Sequence, residues 1–152
     1  MKLIPPPLAM LLAALIMWAL HHFLPLSLLV TAPWNYLAVV PVVISRVISV
    51  AAGRRFREAR TTFDPVRPEL TTHLVTEGVY RFSRNPMYLG LVLMLIAWAL
   101  WLGTASPWVV PPLFVILMTI FQIAPEERAL EKVFGETYVA YRRSVNRWIG
   151  RH

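Results

Sequence analysis

Two stretches of this chain hold most of the side chains able to do chemistry, and each borders an apolar run. The first ends in Leu74-Val75-Thr76-Glu77-Gly78-Val79-Tyr80-Arg81-Phe82-Ser83-Arg84-Asn85-Pro86-Met87-Tyr88-Leu89-Gly90. The second is Gln122-Ile123-Ala124-Pro125-Glu126-Glu127-Arg128, followed by Phe134-Gly135 and then Tyr138 and Tyr141. Together they offer anionic groups in Glu126 and Glu127, cationic or amide groups in Arg84 and Asn85, and an aromatic wall in Tyr80 and Tyr88. Taken alone, the Glu pair is also what a helix start after Pro125 favours, because carboxylates in a first turn meet the positive end of the macrodipole. The six glycines never fall in G-x-G spacing, so a Rossmann-type nucleotide site is excluded. There is no Cys, and His21 and His22 are adjacent with no carboxylate near them in sequence, so no metal site is expected.

The elements that must position these groups are set by composition. Of the 152 residues, 57% are hydrophobic and 15% charged, too apolar a balance for an ordinary soluble domain. Leu3 to Ser45 is a block of 43 residues without Asp, Glu, Lys or Arg, and Asn85 to Pro125 is another of 41. At 1.5 Å per residue either block would make roughly 60 Å of helix, about twice the thickness of the hydrocarbon core of a bilayer. Each block therefore holds two spans, over about 8–23, 34–52, 87–102 and 107–124. Gly103, Ser106 and Pro107 make the last connection so short that spans three and four must pack as a hairpin. The expected fold is all-α: a polytopic membrane protein of about four transmembrane helices, one domain over residues 1–152, with a cytoplasmic loop 53–86 and a cytoplasmic amphipathic helical tail 125–152. Gly135, just past Phe134, should break that tail into two helices lying on the membrane surface or against the loop.

Charge orients the chain. Seven of the 15 Lys and Arg lie between Gly53 and Pro86 and six follow Ala124. By the positive-inside rule both termini and the middle loop are cytoplasmic, and the connections without Lys or Arg face out. The net charge of +7 then serves anionic lipid headgroups rather than nucleic acid. The first span is expected to be retained, because the uncharged stretch continues for a second helix length. Arg46, inside the second span, is expected to snorkel, and Trp98, Trp101 and Trp108 to form an interfacial belt.

Leu-Val-Thr-x-Gly-x-Tyr, Arg-x-Pro-x-Tyr-x-Gly, Glu-Glu and Phe-Gly-x-x-Tyr-x-x-Tyr, in that order between about Thr61 and Ile149, resemble the integral-membrane methyltransferases that include isoprenylcysteine carboxyl methyltransferases and phospholipid N-methyltransferases. The resemblance implies S-adenosyl-L-methionine as cofactor. It places His73, Leu74, Val75, Gly78, Tyr80, Asn85, Pro86, Met87 and Tyr88 around the cofactor, with Glu126 receiving its ammonium group. Arg84, Asn85 and Glu127 become the catalytic candidates and Gln122 a substrate contact. The family's usual His is Asn85 here, which keeps a donor and an acceptor but does not titrate near neutrality. Where carboxyl methyltransferases carry an Arg for the substrate, this chain has Gln122, which argues against a prenylated carboxylate as acceptor.

The residues themselves are compatible. A sulfonium, an ammonium, a carboxylate and an adenine ask for an anionic partner, a cationic or amide partner and an apolar wall. In-line displacement from a good leaving group then needs alignment and exclusion of water more than acid or base. The implied function is methyl transfer to a lipophilic small-molecule, lipid or prenylcysteine-like acceptor at the cytoplasmic membrane face. Two other classes stay open at this point: a non-catalytic membrane interaction protein, and a membrane reductase of related architecture using NADPH.

Overall fold

The computed structural model describes residues 4–58 and 73–151. Residues 59–72, with Arg60, Arg67 and the start of the family likeness at Thr61, lie outside the described residues, as does Lys2. Among the described residues six α-helices follow one another: α1 (Pro6–Phe23), α2 (Val39–Glu58), α3 (Pro86–Leu102), α4 (Val110–Met118), α5 (Ala124–Phe134) and α6 (Glu136–Ser144). Short 3₁₀ turns at Trp34–Ala38 and Ser106–Val109 lead into α2 and α4. The architecture is the all-α, polytopic membrane class that the charge-free blocks predict.

Among the described residues, three helical runs are long and apolar enough to cross a bilayer: Pro6–Phe23, Trp34–Arg55 and Ser106–Phe134. The fourth, α3, has 17 residues, roughly 25 Å of rise. It is also the hub, packed against α1, α2 and α4. Close approach to α2 is possible because Gly90 has no side chain: a Cβ there would lie 2.8 Å from Ser49 Oγ, and Ser45 Oγ donates to the Gly90 carbonyl at 2.8 Å. The membrane core gathers Met17, Leu95, Ala99, Phe114, Met118 and Ile123 around this helix. Leu11, Leu15, Val43, Val47, Ile116 and Phe121 stay exposed on the outer surfaces, as lipid-facing residues of a membrane bundle must.

The end of the bundle remote from the Glu pair is held by backbone. Leu29 N–H and Val30 N–H both donate to the Gly103 carbonyl, at 2.8 and 3.0 Å, and Ala105 N–H donates to Ser27 O at 3.0 Å. Gly103 closes α3 at φ +77°, and a Cβ there would lie 2.3 Å from Val30 O, so only glycine fits. His21 hydrogen-bonds Thr104 Oγ1 at 2.9 Å, next to this seam. Trp98 reaches inward and donates to Ala14 O at 3.1 Å, whereas Trp101 remains exposed.

The run Ser106–Phe134 does not stop where its apolar stretch ends. A π turn at Thr119–Ile123 links α4 to α5, and Pro125 sits in the first turn of α5. Proline donates no hydrogen bond and its ring crowds the carbonyl four residues back; the wider turn immediately before it absorbs both effects and lets the rod continue. Gly135, at φ +54°, ends α5, and α6 folds back. Beyond α6 the tail closes on the loop before α3: Arg84 N–H donates to Asn146 O at 3.1 Å and Gly150 N–H to Phe82 O at 2.8 Å. Of the two places expected for the tail, the structure puts it against the loop.

Candidate functional site

That closure brings the two chemically rich stretches together at one end of the bundle. Asn85 precedes α3 with Pro86 as the first helical residue, an arrangement suited to a residue whose ring fixes φ and whose missing N–H is not needed there. Tyr88 lies one turn further, on the face that meets α5, and its hydroxyl donates to Glu126 Oε1 at 2.6 Å. Glu126 is 8% exposed.

Glu127 points elsewhere, since consecutive helical residues are about 100° apart. Its Oε1 accepts from Arg147 Nε at 3.0 Å and lies 2.8 Å from Arg84 Nη1; its Oε2 accepts from Arg147 Nη2 at 2.6 Å. The side chains of Arg84 and Glu127 are both 8% exposed, so this is a buried ion triad with Arg147 as its outer member. Arg84 Nη1 also donates to Tyr138 Oη at 3.3 Å. The hydrogen bonds to Glu127 raise the pKa of the Arg147 guanidinium above its ordinary value, against the opposing effect of burial.

The loop is locked to the same groups. Asn85 Nδ2 donates to Arg147 O at 3.1 Å, and Asn85 N–H to Ser83 Oγ at 3.0 Å. Tyr141 Oη donates to Tyr80 O at 2.7 Å. Tyr80, Tyr138 and Tyr141 form a second buried cluster with Ala52 and Val145, against which Leu74, Val75 and Met87 pack. Burial pushes the Tyr138 phenol up to about 12, with Glu127 adding to the rise and Arg84 opposing it; burial also raises Tyr80 and Tyr141. All three stay protonated near neutrality and serve as wall and hydrogen-bond groups, not as bases.

Of the sequence candidates, Leu74, Val75, Tyr80, Arg84, Asn85, Pro86, Met87, Tyr88, Glu126 and Glu127 converge here. Gly78 opens the short turn Gly78–Arg81 that carries Tyr80, at φ +64°. His73 is exposed and takes no part in these bonds. Gln122, 3% exposed, sits in the π turn and donates through Nε2 to Ile4 O at 2.6 Å, at one end of a groove of about 460 Å³ between α1 and α4. Leu12, Ile16, Leu113 and Leu117 line that groove, which is apolar apart from Gln122. Arg147 was not among the sequence candidates; it is one of six basic residues after Ala124, and nothing in its spacing sets it apart. Tyr138 and Tyr141 stand in the Phe-Gly-x-x-Tyr-x-x-Tyr motif, a signal that could have marked them as site residues.

The donor set suits a zwitterionic ligand with a cationic centre. Glu126 is a buried carboxylate backed by a tyrosine hydroxyl, and Arg84 Nε is buried with no hydrogen-bond partner among the described residues, a donor held ready for an anionic group. The aromatic and aliphatic cluster beside them provides a dry wall.

The profile of the phospholipid methyltransferase family matches residues 33–137, from the turn before α2 into α6. A 63-residue chain of Haemophilus influenzae, described only as an uncharacterized protein, is 46% identical over its entire length, which corresponds to 41% of this chain. No solved structure matches.

Proposed function

The chain belongs to the phospholipid methyltransferase family, and on that premise we propose that it transfers a methyl group from S-adenosyl-L-methionine to a lipophilic acceptor at the cytoplasmic face of the membrane. The observation that carries this reading is a buried carboxylate, Glu126 held by Tyr88, at the same end of the bundle as a buried, incompletely bonded guanidinium, Arg84 held by Glu127, beside an apolar wall and near the end of a lipid-facing groove.

When bound, S-adenosylmethionine supplies a methyl group that already carries its leaving group. The chain's part is to bind, orient and keep dry. Glu126 would meet the ammonium group, with Tyr88 fixing which carboxylate oxygen remains available. Arg84, through Nε, would meet the carboxylate. Leu74, Val75, Tyr80 and Met87 would face the adenine. Asn85, its amide nitrogen committed to Arg147 O, offers its remaining polarity without a titrating proton. Both oxygens of Glu127 are engaged by arginines, so it acts as a positioning residue that holds Arg84. The acceptor's apolar portion would lie between α1 and α4, with Gln122 near its head. An uncharged or self-ionising nucleophile, thiol or amine, needs no partner there of opposite charge.

The test is direct titration of the purified protein with S-adenosylhomocysteine and, separately, with NADPH. Saturable binding of the former without the latter is the expected result. NADPH binding without S-adenosylhomocysteine binding would move the protein to the reductase class, and binding of neither would leave a scaffold without catalysis.

A further inference from the structure

A second polar cleft, of about 650 Å³, opens at the same end of the bundle, between the last turns of α2 and the turn Gly78–Arg81. Arg54, Arg55 and Glu58 line one wall, and Glu77, Arg81 and Phe82 the other. It is separate from the methyl-transfer site: the turn that carries Arg81 into the cleft buries Tyr80 against Tyr138 and Tyr141 on its opposite side.

The charges of the cleft do not cancel in place. Arg55 bridges the walls, with Nη1 3.0 Å from Glu58 Oε2 and 3.8 Å from Glu77 Oε2. Gly78 makes room for this crossing, since a Cβ there would lie 2.8 Å from Arg55 Nε. Both carboxylates thus belong to Arg55. Arg54 and Arg81, one from each wall and both exposed, have no carboxylate partner among the described residues. Two guanidiniums facing one cleft repel each other unless an anion lies between them, and a phosphate oxyanion matches the guanidinium fork.

Phe82 fixes the source of that phosphate. It is 63% exposed, adjacent in sequence to Arg81, at the edge of a bundle whose sides are lipid-facing. An exposed apolar ring beside basic side chains can enter the headgroup/acyl boundary while the guanidiniums meet phosphate, and basic pockets at that level take lipid headgroups. We propose that this cleft binds the phosphate of an anionic phospholipid headgroup, with Arg54 and Arg81 as its ligands and Phe82 against the adjoining glycerol and acyl region. The inference does not depend on the methyltransferase reading.

Native mass spectrometry of the full-length protein in detergent, titrated with short-chain phosphatidylglycerol, phosphatidylcholine or inorganic phosphate, tests it. Phosphatidylglycerol should be retained in preference to phosphatidylcholine. Near a membrane surface one arginine contributes about a fivefold factor, so Arg54→Gln and Arg81→Gln should each weaken retention about fivefold and the double variant about 25-fold. The charge-retaining pair Arg54→Lys with Arg81→Lys should recover most of it, and Arg143→Gln, an exposed charge elsewhere, should change nothing. Helical circular dichroism identical across the set shows that folding is intact. Undiminished phosphatidylglycerol retention in the double Gln variant would overturn the site, and inorganic phosphate binding as tightly as the lipid would overturn the lipid as its source.

Discussion

Arg84 and Glu127 lie 2.8 Å apart with both side chains 8% exposed, one from the loop before α3 and the other from the first turn of α5. Each is expensive to bury alone, and together they join the two halves of the chain that carry the polar chemistry. Arg147 completes the arrangement from the tail, so three sequence-distant segments are fixed by one carboxylate.

Stability and cofactor affinity should therefore separate between two adjacent residues. Glu127→Gln leaves Arg84 an unpaired buried cation and is expected to destabilise the protein by about 3–5 kcal/mol. Arg147→Gln, whose side chain is 37% exposed, should cost much less because water can take over its bonds. Thermal unfolding followed by circular dichroism in detergent measures both; equal losses would mean that the buried partner is not the one that matters.

The neighbouring acid should behave in the opposite way. Glu126 is expected to neutralise the cofactor's ammonium, so Glu126→Gln should weaken S-adenosylhomocysteine binding by about 1.5–3 kcal/mol, the range of a charge-assisted hydrogen bond, with little change in melting temperature. Tyr88→Phe removes the 2.6 Å bond to Glu126 Oε1 and should weaken binding by a smaller amount in the same direction. Calorimetric titration of the three proteins decides it, and unaltered affinity in both variants would remove Glu126 from the site.

These distinctions show where the sequence was readable. Two long blocks without charge are enough to specify the helical membrane architecture, because a bilayer admits few alternatives for apolar chain of that length. Gly135 after Phe134 was legible as a break for the same local reason that makes glycine tolerate φ +54°. Pro125 misleads: read alone it marks the end of a span, and only the π turn ahead of it explains how the helix carries on to Phe134. The motifs single out Glu126 and Glu127 as a pair but cannot divide their roles, which follow from the different directions in which adjacent helical side chains project. Arg147 was illegible among the tail's basic residues, since its partner is fixed by the return of the chain after α6 and not by any local pattern. His73, next in sequence to Leu74 and Val75, is exposed and takes no part in the cluster's bonds, a difference its position in the chain does not disclose.

The seam remote from the site gives a prediction independent of function. Gly103→Ala would place a Cβ 2.3 Å from Val30 O at a residue with φ +77°, so both the contact and the backbone oppose it. A loss of about 1–3 kcal/mol is expected from the backbone alone, with the clash added. Gly53→Ala, where nothing lies within 4 Å, should be neutral or slightly stabilising in its helix. Melting temperatures of the pair test this, and a tolerated Gly103→Ala would mean that the two outer connections do not pair as described.

The distribution of Lys and Arg leads us to expect one orientation. Reporter fusions after Gly53 and after Gly135 should both report the cytoplasm, and a fusion at Gly103 the opposite side. An external report at Gly53 would invert the chain and carry the Glu126 site away from cytosolic S-adenosylmethionine.

The acceptor should be governed by Gln122. Its amide is buried and donates to Ile4 O at 2.6 Å, at the end of the α1/α4 groove, and it brings no positive charge to an incoming nucleophile. The wild-type protein is therefore expected to methylate a lipid-borne amine or an apolar thiol in preference to a carboxylate. Gln122→Arg keeps a donor for Ile4 O and adds a fork that matches a carboxylate, so it should shift the ratio of rates toward carboxylates by roughly tenfold, about the worth of one charge-assisted bond. Gln122→Leu should lower transfer to every acceptor without changing their order, because it removes the bond to Ile4 and supplies no charge. Methyl transfer from labelled S-adenosylmethionine to phosphatidylethanolamine, an apolar thiol and a farnesylated cysteine analogue, across the three proteins, measures these ratios. Efficient wild-type transfer to the farnesylated cysteine carboxylate alone would show that Gln122 does not select the acceptor, and that recognition of the anion comes from another side chain.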